Sequence, residues 1–297
     1  MFRYPGTKRK ISKIISEKII RYYYDNDCLS TCCYVEPFIG TGAICLDLLQ
    51  NINIKYFLIN DRDIGISCLW NSILKYPKEI CEYIRKFKPK VSSFFEFKEI
   101  LEDNSLLKKM LEDEKNISYI GFLKVAVHQL SYSGLGLMAG GPIGGKEQKS
   151  KYSISDRWSP QKLIKKIQKY SNLFHQKTII NDECLCDDYV DIIKKSPSNS
   201  FFYFDPPYFE KGPELYYHSF SFEEHIRFRN ILKQMEQPWM LSYDYVVDIK
   251  HLYSWAPQIE INLAYTINGP KHSKELLICS PKYKELLTES FNNDIFD

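Results

Sequence analysis

A glycine-bearing turn set between two apolar strands constrains this chain more than any other feature. Thr31-Cys32-Cys33-Tyr34-Val35 has the β-branched and aromatic content of a short strand. It runs into Glu36-Pro37-Phe38-Ile39-Gly40-Thr41-Gly42, after which Ala43 to Gln50 reads as a helix. Tyr56 to Asn60 is a second strand, and Asp61 follows it. This is a β-turn-α-β unit, the building block of an α/β sheet. Glycine lets backbone N–H groups approach a ligand closely, and the helix that opens there favours an anion. Asp61 lies 21 residues after Gly40, where an acid can accept hydrogen bonds from both hydroxyls of a ribose. The unit therefore suits a nucleoside that carries an anionic group. Cys45 occupies the place of the third glycine of a dinucleotide fingerprint, which counts against a nicotinamide-dependent oxidoreductase.

The second feature is Asp205-Pro206-Pro207-Tyr208, preceded by the aromatic run Phe201-Phe202-Tyr203-Phe204. The run reads as a buried strand, so the motif sits where a strand ends. In open α/β sheets ligands bind at that edge. The Asp205 carboxylate and the Pro206 carbonyl would be two acceptors for a planar amino group, since proline offers no N–H. Tyr208 could stack on the ring that carries the amine. Taken alone, Pro-Pro after a strand equally describes a stiff loop.

The rest of the chain places these two elements in one fold. Ile11 to Tyr24, Phe94 to Asn104, Ile117 to Leu130 and Val246 to Tyr253 have helical periodicity. Strands are expected at Thr178–Ile180, at Trp239–Ser242, and around Ile259 and Leu277, the last two flanking the hairpin signal Asn268-Gly269. Between Pro77 and Ser159 helices replace the βα alternation, and a Gly-rich segment, Ser131 to Pro142, follows. The net charge of the 297 residues is only +3, yet Lys146 to Lys169 carries eight basic residues, Arg157 among them, against two acidic ones. Such a segment can track a phosphate backbone or form a solvated helix face. Nine cysteines without zinc-finger spacing, no secretory signal and no membrane-length apolar run suggest an intracellular, cytoplasmic protein with reduced thiols.

As a set and in this order, Arg3-Tyr4-Pro5-Gly6-Thr7-Lys8, Glu36 to Gly42, Asn60-Asp61 and Asp205 to Tyr208 resemble the Dam-like DNA adenine-N6 methyltransferases of the D12 class. Asp188-Tyr189, Ser242-Tyr243-Asp244 and Lys274 to Ile278 extend the resemblance over almost the whole chain. It implies a Rossmann-like class I methyltransferase fold with a mixed sheet, formed by residues 1–76 and 165–297. Residues 77–164 would then be an inserted, mostly helical DNA-recognition domain. The cofactor implied is S-adenosylmethionine, with no metal, and the partner is double-stranded DNA. Tyr4, Lys8, Glu36, Phe38, Gly40, Gly42, Asp61 and Asp205 look like cofactor-binding residues, and Asp188 and Tyr189 like contacts to its adenine ring. Asp205, Pro206 and Tyr208 look catalytic. Arg3, Tyr132, Ser133 and Arg157 look like DNA contacts, Tyr132 as a wedge beside a flipped base. Members that read GATC carry an arginine shortly after the Ser-Gly-Leu element. Here Gly136-Leu137-Met138-Ala139 has none, so the recognition sequence stays open. The alternatives are a class I methyltransferase of RNA or protein glutamine, where Asn often replaces the acid, and a catalytically silent DNA-binding module.

Overall fold

The computed structural model describes residues 11–210, 212, 219–265 and 271–287. Its centre is a seven-stranded sheet in the order β3-β2-β1-β4-β5-β7-β6. The strands are β1 (Cys33–Glu36), β2 (Tyr56–Asn60), β3 (Thr178–Leu185), β4 (Ser200–Phe204), β5 (Trp239–Asp244), β6 (Gln258–Tyr265) and β7 (Lys271–Cys279). β1 to β5 are parallel, and β7 pairs antiparallel with both β5 and β6. This mixed α/β sheet is that of a class I methyltransferase fold. The strand order reverses between β1 and β4, which opens a ligand crevice at their carboxyl ends.

Side-chain alternation explains why Phe201 to Phe204 could be read so directly. Phe201 and Tyr203 join the core on one face of the sheet with Tyr34, Phe57, Ile59 and Met240. Phe202 and Phe204 join the other with Val35, Leu58, Leu241 and Tyr243. A parallel strand covered on both faces is apolar at every position, not at every second one. All four aromatics are fully buried.

On the first face lie α1 (Ser12–Asp25), α2 (Ala43–Asn51), α3 (Ile64–Lys75) and α8 (Pro160–Phe174). The helices between the last two continue the same apolar cluster: α7 (Asn116–Leu130) packs on α3, α4 (Pro77–Lys86) on α7 and α8, α5 (Val91–Glu102) on α7, and α6 (Asn104–Met110) on α5. The opposite face is covered by α9 (Tyr189–Lys195), α10 (Phe222–Gln234) and α11 (Val247–Leu252). α3, α9, α10 and also α8, which Pro160 opens, add to the helices expected from periodicity. The starts of the first three are chemically marked: Asp63 and Asp188 accept from the backbone N–H of Ile66 and Val190, and Ser221 with Glu224 forms a capping box. Each such cap contributes about 1 kcal/mol.

α7 is buried on all sides from Ile120 to Leu130, as expected of a helix lodged inside a protein and not on its surface. It lies close against α3 at Gly121, where an added Cβ would meet the Cys68 carbonyl at 2.9 Å. Buried residues of α4, α5 and α7, such as Ile84, Phe94 and Leu123, share one apolar cluster with Ile15, Tyr34 and Phe57.

Strand limits differ from the sequence reading in several places, β4 beginning one residue early at Ser200 and β5 running on from Ser242 to Asp244. β1 begins at Cys33 and extends to Glu36, so that acid is part of the strand. β3 runs from Thr178 to Leu185 and not merely to Ile180. It contains a register shift, and Asn181 and Asp182 adopt φ of 64° and 55°. Asn and Asp tolerate this left-handed region, and the bulge hides the strand from a period-two reading. All nine cysteines are free, and all but Cys186 are buried. The Asn268-Gly269 turn lies outside the described residues, although the strands on either side pair as a hairpin would.

Candidate active site

Acids gather at the carboxyl ends of the parallel strands. Glu36 closes β1, Asp61 follows β2, Asp187 and Asp188 follow β3, Asp205 follows β4 and Asp244 closes β5. Glu36 is buried and accepts from the Tyr34 hydroxyl at 2.8 Å. Burial pushes its carboxyl well above the ordinary range, and the Asp205 and Asp61 carboxylates nearby push the same way. Asp61 is raised to about 7, first by burial and then by Asp63, while the N–H groups of Asp63 and Gly40 and the charge of Lys124 pull it down. So dense a set of carboxyl groups suits a positively charged ligand.

The Gly40–Gly42 turn is tied to Asp61 directly. One carboxylate oxygen accepts from Gly40 N–H at 2.8 Å and the other from Asp63 N–H at 2.9 Å. Gly40 and Gly42 both have positive φ. At Gly42 an added Cβ would meet the Trp70 ring at 2.5 Å, and the Trp70 indole N–H donates to the Gly40 carbonyl at 2.9 Å. Trp70 thus locks the turn from beneath. Asn60 joins this turn to the loop after β3: its amide donates to the Pro37 carbonyl at 2.9 Å, and its side-chain oxygen accepts from Asp187 N–H at 2.9 Å.

Beside the turn stands an aromatic wall. Phe38, partly exposed, packs against Tyr189, Phe204, Phe220 and Phe228 with ring centroids 5.7 to 6.4 Å apart. Tyr189 itself is enclosed, with Phe228 at 5.1 Å and Phe220 at 5.7 Å, so it backs the wall. One Asp188 oxygen caps α9, and its other oxygen lies 3.8 Å from the Arg62 guanidinium. The adjacent Asp187 carboxylate pairs with Lys195 at 2.6 Å.

The Asp-Pro-Pro-Tyr segment is clamped by β5 and β7. Ser242 Oγ donates to Asp205 Oδ1 at 3.2 Å and is itself 2.7 Å from the Tyr203 hydroxyl. Tyr208 O–H donates to Glu275 Oε1 at 2.9 Å, and Phe209 N–H donates to Asp244 Oδ1 at 3.2 Å. Pro206 is buried. The segment is therefore a fixed arm, not merely a stiff loop.

The second cluster of candidates lies beyond α7. Tyr132 is 71% exposed, the most exposed large apolar side chain among the described residues. Ser133, next to it, is forced to φ 55°. The turn is built: Ser131 Oγ accepts from Gly136 N–H at 3.0 Å, Tyr132 N–H donates to the Gly141 carbonyl at 2.9 Å, and a His128 ring nitrogen lies 3.1 Å from the Gly134 carbonyl. Arg157 ends an exposed 3-10 turn, Ile154–Arg157. Of the basic residues between Lys146 and Lys169, all but the half-buried Lys166 are exposed. Arg3, Tyr4 and Lys8 lie outside the described residues. Trp70, Asn60 and Glu275 support the site through contacts between segments distant in sequence, which no local spacing announces, while Tyr34 reaches Glu36 two residues along the same strand.

A family model of the D12 class N6 adenine-specific DNA methyltransferases matches residues 4–267. The chain belongs to this family. A curated relative, the Type II methyltransferase M.MjaIII of Methanocaldococcus jannaschii, is 22% identical over 261 residues, covering 83% of this chain and 84% of that protein. A D12-class enzyme methylates DNA at adenine N6, so DNA is the substrate. Among the described residues no group of three or more His, Cys, Asp or Glu is placed to hold a metal ion, and no helix is long and apolar enough to cross a membrane.

Proposed function

We propose that this D12-class enzyme uses S-adenosylmethionine to methylate one adenine within a specific duplex sequence, after flipping that base out of the helix. The supporting observation is Asp205 on its fixed arm beside Glu36 and the Gly40–Asp61 turn. When bound, S-adenosylmethionine supplies an activated methyl group on a sulfonium centre. The strand-end acids suit its positive charges, and the Phe38 wall suits its adenine. Asp61 would hold its ribose hydroxyls, with Gly40 and Gly42 allowing close approach, and Asp188 would accept from its adenine amine. Tyr4, Lys8 and Glu36 complete this proposed set.

The substrate amine is a weak nucleophile because its lone pair is delocalised into the ring. Asp205 and the Pro206 carbonyl accept its two N–H bonds, which favours a pyramidal nitrogen with an available lone pair. Tyr208 stacks on the flipped base, its hydroxyl anchored by Glu275. Fixed acceptors and alignment supply the acceleration. No base has to remove a proton before attack, because the methylated amine is acidic and loses one afterwards. Extruding the base costs about a few kcal/mol. Tyr132 would fill the gap it leaves, with Ser133, Arg3 and Arg157 on the DNA. Residues 77–164, as the recognition domain inserted between catalytic segments 1–76 and 165–297, would carry the contacts of Tyr132, Ser133 and Arg157, with Arg3 on the catalytic segment. The name of the relative, a Type II methyltransferase, fits a role beside a restriction endonuclease.

The test is transfer from tritiated S-adenosylmethionine to unmethylated duplex DNA. Label is expected in N6-methyladenine, and Asp205→Ala should abolish it. Label confined to RNA or protein would overturn the proposal.

A further inference from the structure

Lys124 is the one lysine of α7, on a stretch otherwise filled with apolar side chains, and it is 3% exposed. Its ammonium makes a short contact with the Asp63 carboxylate. Asp63 caps α3 by accepting from Ile66 N–H at 3.1 Å, and its own N–H donates to Asp61 Oδ1 at 2.9 Å. The other Asp61 oxygen holds Gly40. A continuous line of contacts therefore runs from α7 to the glycine turn.

The packing leaves this line little freedom. A Cβ on Gly65 would lie 2.8 Å from Lys124 Cδ, and one on Gly121 would meet α3 backbone at 2.9 Å. The two glycines let α3 and α7 close around the lysine stem. A buried charge pair is a costly way to join two helices, because apolar side chains of similar volume are often as stable. Its cost points to a task at the neighbouring site.

That task is visible in what surrounds Asp61. Facing it are Asp63 from the start of α3, Glu36 from β1, Cys184 and Cys186 from β3 and the loop after it, and Lys124 from α7. Lys124 is the cation among these groups. We infer that Lys124 is a positioning residue for the methyl donor: it holds Asp63, and through it keeps the Asp61 carboxylate charged and aimed at the ribose. This rests on the proposed contact between Asp61 and the cofactor.

The sign of the effect follows. Asp61 is raised to about 7 by burial, and Lys124 opposes that rise. Binding through an ionised Asp61 is present at high pH and is lost as pH falls through its pKa. Without Lys124 the loss begins at higher pH. Equilibrium binding of S-adenosylmethionine to the full chain, from pH 6 to 9.5, tests this. Lys124→Met should weaken binding about fivefold at pH 7 if the midpoint rises by one unit, approaching about tenfold per unit below the wild-type midpoint, with recovery toward wild type at pH 9.5. Lys124→Arg should retain affinity and midpoint. If Lys124→Met does not fold, Lys124→Gln keeps a donor to Asp63 without charge and should show the same upward midpoint. A variant of lower melting temperature with unchanged midpoint and affinity overturns the inference. Asp61→Asn separates the two claims. If it binds S-adenosylmethionine like wild type, the reading of Asp61 fails and the role of Lys124 with it. If Asp61→Asn binds weakly and Lys124→Met normally, only the role of Lys124 is overturned.

Discussion

Removing the Ser242 hydroxyl should separate the positioning of Asp205 from the stability of the sheet. Ser242 is fully buried on β5 and donates to Asp205 Oδ1 at 3.2 Å. A serine hydroxyl has one proton, so the 2.7 Å contact with Tyr203 must be a donation from the tyrosine. The order is Tyr203 to Ser242 to Asp205. Ser242→Ala removes the donor to a carboxylate and also the acceptor that Tyr203 uses. A bond to such a group contributes about 1.5–3 kcal/mol. Were that spent on holding Asp205 against the amine, kcat would fall roughly 10- to 100-fold, at about 1.36 kcal/mol per factor of ten. Loss of the Tyr203 acceptor costs about 1–3 kcal/mol of stability. Tyr203→Phe is the control: it leaves the donation to Asp205 in place, so kcat should change less than about threefold while stability falls by about 0.5–1.5 kcal/mol. Single-turnover methyl transfer and thermal unfolding read the two effects separately. If Ser242→Ala lowers the melting temperature but leaves the transfer rate unchanged, the Ser242 bond does not position Asp205.

Two further perturbations probe the other parts of the site. Gly42→Ala places a Cβ 2.5 Å from the pinned Trp70 ring at a φ of +64°. Strain and overpacking of about 1–3 kcal/mol each should lower the melting temperature and weaken S-adenosylmethionine binding. Gly140→Ala, with nothing within 4 Å of its added Cβ, should change neither. Tyr132→Ala should leave stability within about 0.5 kcal/mol, since the side chain is 71% exposed. Fluorescence anisotropy with duplex DNA should nevertheless show weaker binding if the ring meets the helix.

What could be read from the sequence was what depends on short spacing. The βαβ unit from β1 to β2 declared itself because strand, turn and helix are contiguous, and Tyr56–Asn60 falls within its expected limits. β4 was legible because burial on both faces makes every residue of Phe201–Phe204 apolar. β3 was shortened because Asn181 and Asp182 break its alternation with left-handed backbone. The supports of the site were hidden for a different reason. Glu275 reaches Tyr208 across 67 residues, and Lys124 reaches Asp63 across 61. Such pairs exist only once the sheet order and the α3–α7 seam exist. A lysine within an apolar helix does stand out in sequence, but its partner does not.

The most direct measurement is single-molecule sequencing of DNA from cells that express the protein, beside cells that express Asp205→Ala. N6-methyladenine is expected at one short sequence in the first sample, with none above background in the second. An absence of modified adenine with the wild-type chain, or the same modification with Asp205→Ala, would contradict methyl transfer at the Asp205 arm.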